Sequence, residues 1–317
     1  MKKKLFFIMF LIFGTMSIAS YAQVKDGKWP KATVNYFEEP RVLLAAHFTP
    51  VVGIPYTGLF YGVDANVKLA KLLYVSGGFM LPILDLSFVD GGPSNYSFYG
   101  GGELVLRRKR ESDRFDLTIS SSQTGNVITT KYRDYYVDVY ESRILRFGAE
   151  YFANSRYSPN FMNTKQGFKF EPNIGLKMPD GTYYTDHSST FNCLFFYIGI
   201  GKKSLNYFTI KMSDYQESDK FTTTLTGYFD LFYAPFLSFT PFTYRNASYN
   251  PADYYLVMPF GGRLGFEAYR TMGKYLGFYT RVEFGMMPGV GYPAFVKWGV
   301  GVSSIVKKLK SIGNELK

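Results

Sequence analysis

The sequence predicts an all-β fold, an antiparallel transmembrane β-barrel of about 12–14 strands. Three observations carry that expectation. The last hydrophobic runs, Phe260 to Tyr269, Leu276 to Met286 and Tyr292 to Val302, alternate with period two. A short apolar stretch behind three lysines opens the chain. Aromatic residues make up 19% of the chain, with 28 Tyr and 31 Phe, and Tyr in particular suits the interfacial girdles of a membrane barrel.

In the middle run Leu276, Phe278, Thr280, Val282, Phe284 and Met286 share one phase, and Tyr275, Gly277, Tyr279, Arg281, Glu283 and Gly285 share the other. Successive strand side chains point to opposite faces. The last run sets Tyr292, Ala294, Val296, Trp298, Val300 and Val302 against Lys297, Gly299, Gly301 and Ser303. The earlier one sets Phe260, Leu264, Phe266 and Ala268 against Arg263, Gly265, Glu267 and Tyr269. A soluble sandwich turns its charges to water and its apolar face to a second sheet. A barrel in lipid inverts this, with apolar residues outward and polar ones in the lumen.

The start of the chain separates the two readings. Lys2, Lys3 and Lys4 precede the apolar stretch Leu5 to Ala19 and a small-x-small site at Ser20, Tyr21 and Ala22, the pattern of a signal peptide. The apolar stretch is about 15 residues, short of the roughly 20 that span a bilayer as a helix. Residues 1–22 are therefore expected to be cleaved, leaving Gln23 as the mature N-terminus, and no Cys follows to make a lipobox. Beyond Gln23 no run is long and apolar enough for a helical span.

Hydropathy averages are unremarkable, as they must be where each lipid-facing residue alternates with a polar neighbour. The single Cys193 excludes an internal disulfide and reads as a small apolar strand residue. Formal charge is +11, and removing the three leader lysines leaves 11 − 3 = +8. The densest basic run, Arg107 to Arg110, precedes Glu111, Asp113 and Asp116, and reads as a solvated turn or a contact with anionic headgroups. No nucleic-acid partner is expected, since such a patch would need base-stacking aromatics on one face.

Strands are expected at 41–50, 56–69, 72–82, 95–107, 114–121, 126–140, 143–153, 167–176, 190–200, 205–212, 221–235, 254–269, 275–287 and 292–304. The connections at Ala70-Lys71, Glu141-Ser142 and Thr271 to Lys274 are short, whereas Asp85 to Asn95, Asn154 to Gln166 and Leu237 to Ala252 are long. This is the two-ended asymmetry of bacterial barrels. The long 177–189 connection and the short Pro288 to Gly291 connection break it.

The leader ending at Ala22-Gln23, the roughly 295-residue mature chain, the Gly- and aromatic-rich strands and the aromatic-containing strand near the C-terminus resemble outer-membrane β-barrel proteins of Gram-negative bacteria. The resemblance covers nearly the whole mature chain, 23–317, and rests on architecture with no diagnostic motif. It implies the cell outer membrane as location, with outer-membrane lipid and either small solutes or other envelope proteins as partners. Many such barrels end on an aromatic residue read by the insertion machinery. Here a basic tail, 306–317, follows instead, so the insertion signal is expected near Phe295 or Trp298.

The polar phase holds the candidate site: Arg146, Glu150, Arg263, Glu267, Arg281, Glu283 and Lys297 are expected to face the lumen. Such charges either line a water-filled pore or pair across it and close it. Inward glycines, Gly58, Gly62, Gly148, Gly265, Gly277, Gly285, Gly299 and Gly301, leave room for aromatics such as Tyr228 and Tyr279 to pack. The two histidines of the mature chain are His47 and His187. The run Asp186-His187-Ser188-Ser189 supplies acid, base and hydroxyl, but a triad is defined by spatial geometry rather than adjacency. Ligand spacing for a metal and a phosphate-cradling loop are both lacking, so no cofactor is expected. The leading expectation is a pore or transport barrel for small solutes. The alternatives are a non-conducting structural or interaction barrel in an assembly or secretion complex, and a barrel lipid hydrolase; an enzyme is not the favoured reading.

Overall fold

In the computed structural model the described residues are 32–36, 39–53, 57–85, 96–124, 127–157, 176–177, 183–184, 189–212, 219–244, 246–250, 257–272, 276–290 and 294–306. The expected signal peptide 1–22, the tail beyond Val306 and His187 lie outside them. Ten strands build the barrel: β1 Val42–Gly53, β2 Thr57–Ala70, β3 Leu73–Asp85, β4 Tyr96–Thr124, β5 Val127–Tyr157, β6 Ser189–Met212, β7 Asp219–Phe239, β8 Phe260–Met272, β9 Leu276–Met286 and β10 Ala294–Val306. Each pairs with its chain neighbours, β5 pairs β6, and β10 pairs β1 antiparallel, so these ten strands close into a ring, and the short strand Ala32–Tyr36 adds to the same sheet beside β6. Short pairs, Phe242–Tyr244 with Ala247–Tyr249 and Val257–Met258 with Gly289–Val290, decorate the connections.

Backbone contacts divide the chain into two compact units. One comprises Tyr36–Glu111, Val139–Thr209 and Asp219–Lys317, and the other Met1–Asn35, Ser112–Asp138 and Ile210–Ser218. The first carries the ladders and interior described below. The second contains the strand Ala32–Tyr36 up to Asn35 and the far ends of β4, β5 and β6.

The strand count is ten, where the alternation predicted 12–14. Three pairs of expected strands are single long ones. The segments 95–107 and 114–121 merge into β4, 126–140 and 143–153 into β5, and 190–200 and 205–212 into β6. The expected strand 167–176 lies outside the described residues except for Leu176. The apparent breaks were charges and hydroxyls, Arg107 to Arg110, Glu141-Ser142 and Lys202-Lys203-Ser204, which read as turns. In the barrel they have strand partners: Lys203 Nζ bonds Glu103 Oε2 at 2.6 Å, Lys202 bonds Glu141 at 2.7 Å, and Arg108 Nε donates to Ser142 Oγ at 3.2 Å. A charge ends a strand only where the sheet offers it no partner.

With ten strands the connection asymmetry is simpler. One end joins strands through 71–72, 125–126, 213–218 and 273–275, and the other through 54–56, 86–95, 158–188, 240–259 and 287–293. The long 177–189 connection now falls at the long-loop end. Both the start of β1 and the end of β10 lie at the short-turn end.

The alternation translates into two faces. On β9, Leu276, Phe284 and Met286 are exposed while Tyr279 and Glu283 are each 1% exposed. On β10, Val296, Trp298 and Val302 face out and Phe295, Lys297 and Ser303 face in. Outside is apolar and inside is polar plus aromatic, the inverse of a soluble domain. Cys193 follows the inward phase, 1% exposed in a cluster with Phe191, Phe195 and Phe232. In the folded protein it is therefore expected to resist a bulky maleimide and to react fully once denatured. Equal labelling of the two states in a gel-shift assay would overturn its inward placement.

Candidate functional site

The candidate site is the barrel interior, which is layered. Toward the long-loop end Val51, Phe152, Phe191, Phe195, Phe239 and Phe295 belong to one apolar cluster. Toward the short-turn end lie Leu43, Ala45, Tyr269 and Tyr279, and a second small cluster of Tyr74, Val105 and Ile144. Between them sits a layer of charge. All seven charged residues singled out from the alternation, Arg146, Glu150, Arg263, Glu267, Arg281, Glu283 and Lys297, lie on the interior face, and Arg281, with 14% side-chain exposure, is the least buried of those in ion pairs.

Asp230, on β7 and fully buried, is the hub. Its Oδ1 accepts from Arg146 Nε at 3.0 Å and its Oδ2 from Arg263 Nε at 2.8 Å. Arg146 continues to Glu103 Oε1 at 2.8 Å, and Lys203 holds the other Glu103 oxygen. Arg263 continues to Glu150 and Glu283, each at 3.3 Å, and Lys297 joins the same two carboxylates at 3.5 and 3.9 Å. Arg281 donates to Glu283 at 2.6 Å and approaches Asp64 at 3.5 Å. Each of Arg146, Arg263, Arg281 and Lys297 thus contacts two or more carboxylates, and Lys203 adds to Glu103 the Tyr74 ring, 4.1 Å from its Nζ.

Aromatic rings complete the solvation that water would give. The Arg146 guanidinium lies 3.7 Å over the Tyr228 ring, and Arg263 sits among Tyr197, Tyr228 and Phe232. Tyr228 donates its hydroxyl to Glu283, and Tyr279 donates to Asp64 at 2.6 Å and to Glu267 at 3.2 Å. Glu267 stands directly opposite Arg281 in the ladder, yet its hydrogen bonds come from Tyr269 and Tyr279. The Tyr228 ring lies over Gly265, and a Cβ there would collide with it. Tyr197 covers Gly148 in the same manner. Inward glycine is the seat for an inward tyrosine.

Four participants were not singled out from the sequence, Asp64, Glu103, Lys203 and Asp230, and His47 was noted only as one of two histidines. Asp230 shares parity with Tyr228, which was, so the signal existed. Glu103 is masked by the apolar run Leu104-Val105-Leu106, which hides the phase, and Lys203 by its resemblance to a turn. His47 bonds Thr49 Oγ1 through Nδ1 at 2.7 Å and approaches Asp64 Oδ2 at 3.3 Å through Nε2. This acid, imidazole and hydroxyl row is buried, with Thr49 4% exposed.

A second cluster sits at the short-turn end, where Glu39 precedes β1. It accepts from Lys68 at 2.6 Å and from Tyr74, and pairs with Arg108 at 3.3 Å. Burial alone would raise its carboxyl, but the hydrogen bonds from Lys68 and Tyr74 and the Arg108 charge outweigh it and hold the group below its ordinary 4.5. Its stabilising contribution is therefore complete above that value and is lost as pH falls through the lower folded value. The stability difference between the parent and Glu39→Gln is expected to be constant near neutrality and to vanish in acid. A difference that grew in acid, in denaturant titrations across pH, would contradict this.

For the hub, Asp230→Ala leaves Arg146 and Arg263 buried without their shared carboxylate, which is expected to cost about 3–5 kcal/mol. Glu141→Ala removes only the pair with Lys202, whose side chain is 64% exposed, and is expected to cost less than about 1 kcal/mol. Urea unfolding in lipid vesicles, followed by Trp fluorescence, compares the two; equal losses would remove the hub from its central place.

No family model and no curated protein matches the chain. Among solved structures it is similar to OmpT, in-vitro folded, an outer membrane protein of Vibrio cholerae, at 9% identity over 89% of this chain and 99% of that one, with a TM-score of 0.17. It is also similar to an anion-selective porin from Comamonas acidovorans, at 10% identity over 86% and 99%, again with a TM-score of 0.17. Superpositions at that level carry no functional weight.

Proposed function

We propose that the chain is a non-conducting outer-membrane β-barrel, a structural or interaction component of an envelope assembly rather than an open pore. The observation that carries this reading is the filled interior. Asp230, Arg263, Glu283 and Lys297 are each at most 4% exposed, and an aromatic layer flanks them on either side. A conducting lumen keeps its charges hydrated and unpaired enough for ions to exchange; here carboxylates and cations hold one another. Ten strands enclose little more than the eight whose interior side chains already fill.

The outer-membrane setting is supported by the closed ladder, the outward apolar face and the leader pattern of residues 1–22. The burial of Thr49 beside His47 speaks against a hydrolytic use of that row. With the interior closed to solutes, the surfaces left for function are the connections and the outer wall. Partners would then be other envelope proteins, met through the long-loop end.

Planar-bilayer recording of the refolded protein is the test. No stable single-channel steps are expected under conditions where a general porin conducts. Reproducible long-lived steps, abolished by heat denaturation, would return the reading to a pore.

A further inference from the structure

The outer wall carries a feature that a uniform lipid-facing surface would lack. On three neighbouring strands the outward column changes from apolar to basic at one level. On β6 Phe196, Ile198 and Ile200 give way to Lys202, and on β5 Phe147 and Leu145 give way to Arg143; on β4 the phase shifts after Leu104 and Leu106, so that Leu106 and Arg107 are both exposed and Arg107 and Lys109 take over the outer side while Arg108 turns in to Ser142. Arg143 and Lys202 are direct cross-strand partners, a placement in which like charges repel. One carboxylate, Glu141, lies among these four cations, and it is engaged with Lys202 at 2.7 Å.

Beside this basic row the wall is notched. Gly227 on β7 faces outward, and a Cβ built on it meets nothing within 4 Å. It stands in register with Phe266, while its neighbour Phe229 stands opposite Leu264. Ile200, Phe229, Phe266 and the basic row border a groove of about 920 Å³ that runs from charge to hydrocarbon. Its apolar portion matches an acyl chain and its basic end an anionic headgroup, and the row lies at the short-turn end of the apolar wall, where a headgroup of that leaflet would lie.

We infer that this groove is a binding site for one anionic phospholipid of the leaflet at the short-turn end, its phosphate set among Arg107, Lys109, Arg143 and Lys202 and one acyl chain laid along Ile200, Phe229 and Phe266 over Gly227. The inference rests on the membrane-spanning reading above. The phosphate adds negative charge to four cations whose neighbouring carboxylate, Glu141, is already paired with Lys202, and basic side chains near a membrane surface each favour anionic lipid. The acyl chain fills a recess that a larger residue at 227 would have closed. Affinity therefore needs both halves, and a free phosphate ion satisfies only one.

The full chain refolded into mixed phosphatidylcholine and phosphatidylglycerol vesicles is extracted gently, and retained lipid is counted by native mass spectrometry. Heat-modifiable migration in the same vesicles reports insertion separately. The parent is expected to retain one phosphatidylglycerol in preference to phosphatidylcholine. The double variant Arg143→Gln with Lys202→Gln is expected to lose about tenfold of that preference. Gly227→Leu keeps every charge but fills the recess, and is expected to weaken retention of both lipids. Excess inorganic phosphate is expected to leave the bound lipid in place. A folded parent without lipid preference, variants that retain lipid like the parent, or displacement by inorganic phosphate would each overturn the site. Failure of the parent to insert at all would instead sink the membrane reading.

Discussion

Asp230 joins Arg146 and Arg263, and the interior is organised around that shared carboxylate. It comes from β7, its partners from β5 and β8, and the chain of contacts passes onward to Glu103 on β4, Glu150 on β5, Glu283 on β9 and Lys297 on β10. Seven charges from six strands thus meet in one layer. Inside a dry barrel each must find its counterpart or carry a large desolvation cost, so the ladder register and the charge layer constrain each other. A one-residue slip of any of these strands would turn its charge outward onto the apolar wall.

The outer and inner faces solve separate problems. Outside, the apolar residues need only be apolar, and their identities vary from Leu276 to Trp298. Inside, size matters. Tyr228 needs Gly265 beneath its ring, and Tyr197 needs Gly148, because a closed wall of ten strands leaves no slack for both a Cβ and a ring. The aromatic composition first noticed as a membrane-interface signature therefore has a second role, packing and solvating the charge layer through hydroxyl and π contacts.

Much of the fold was legible in the alternation. The runs at 260–269, 276–286 and, from Ala294, 294–302 assign inward and outward residues that the closed sheet repeats, because period two is a local property of an extended chain. Strand number was less legible. Arg107 to Arg110 and Lys202-Lys203 look like turns to any local reading, and only the partners Glu103, Glu141 and Ser142, up to about a hundred positions away, make them strand interior. The groove on the outer wall was wholly hidden, since Arg143 and Lys202 are 59 positions apart and meet only through the β5–β6 register.

By itself the sequence determined the strand-forming phase, the membrane-type inversion of its faces and the presence of inward charge, since each follows from the order of neighbouring side chains. Only the tertiary structure decided that ten strands close the ring, that the inward charges pair, and which cations gather on the outside. Those outcomes depend on register between strands distant in sequence, where a carboxylate and a guanidinium either come within hydrogen-bonding distance or do not.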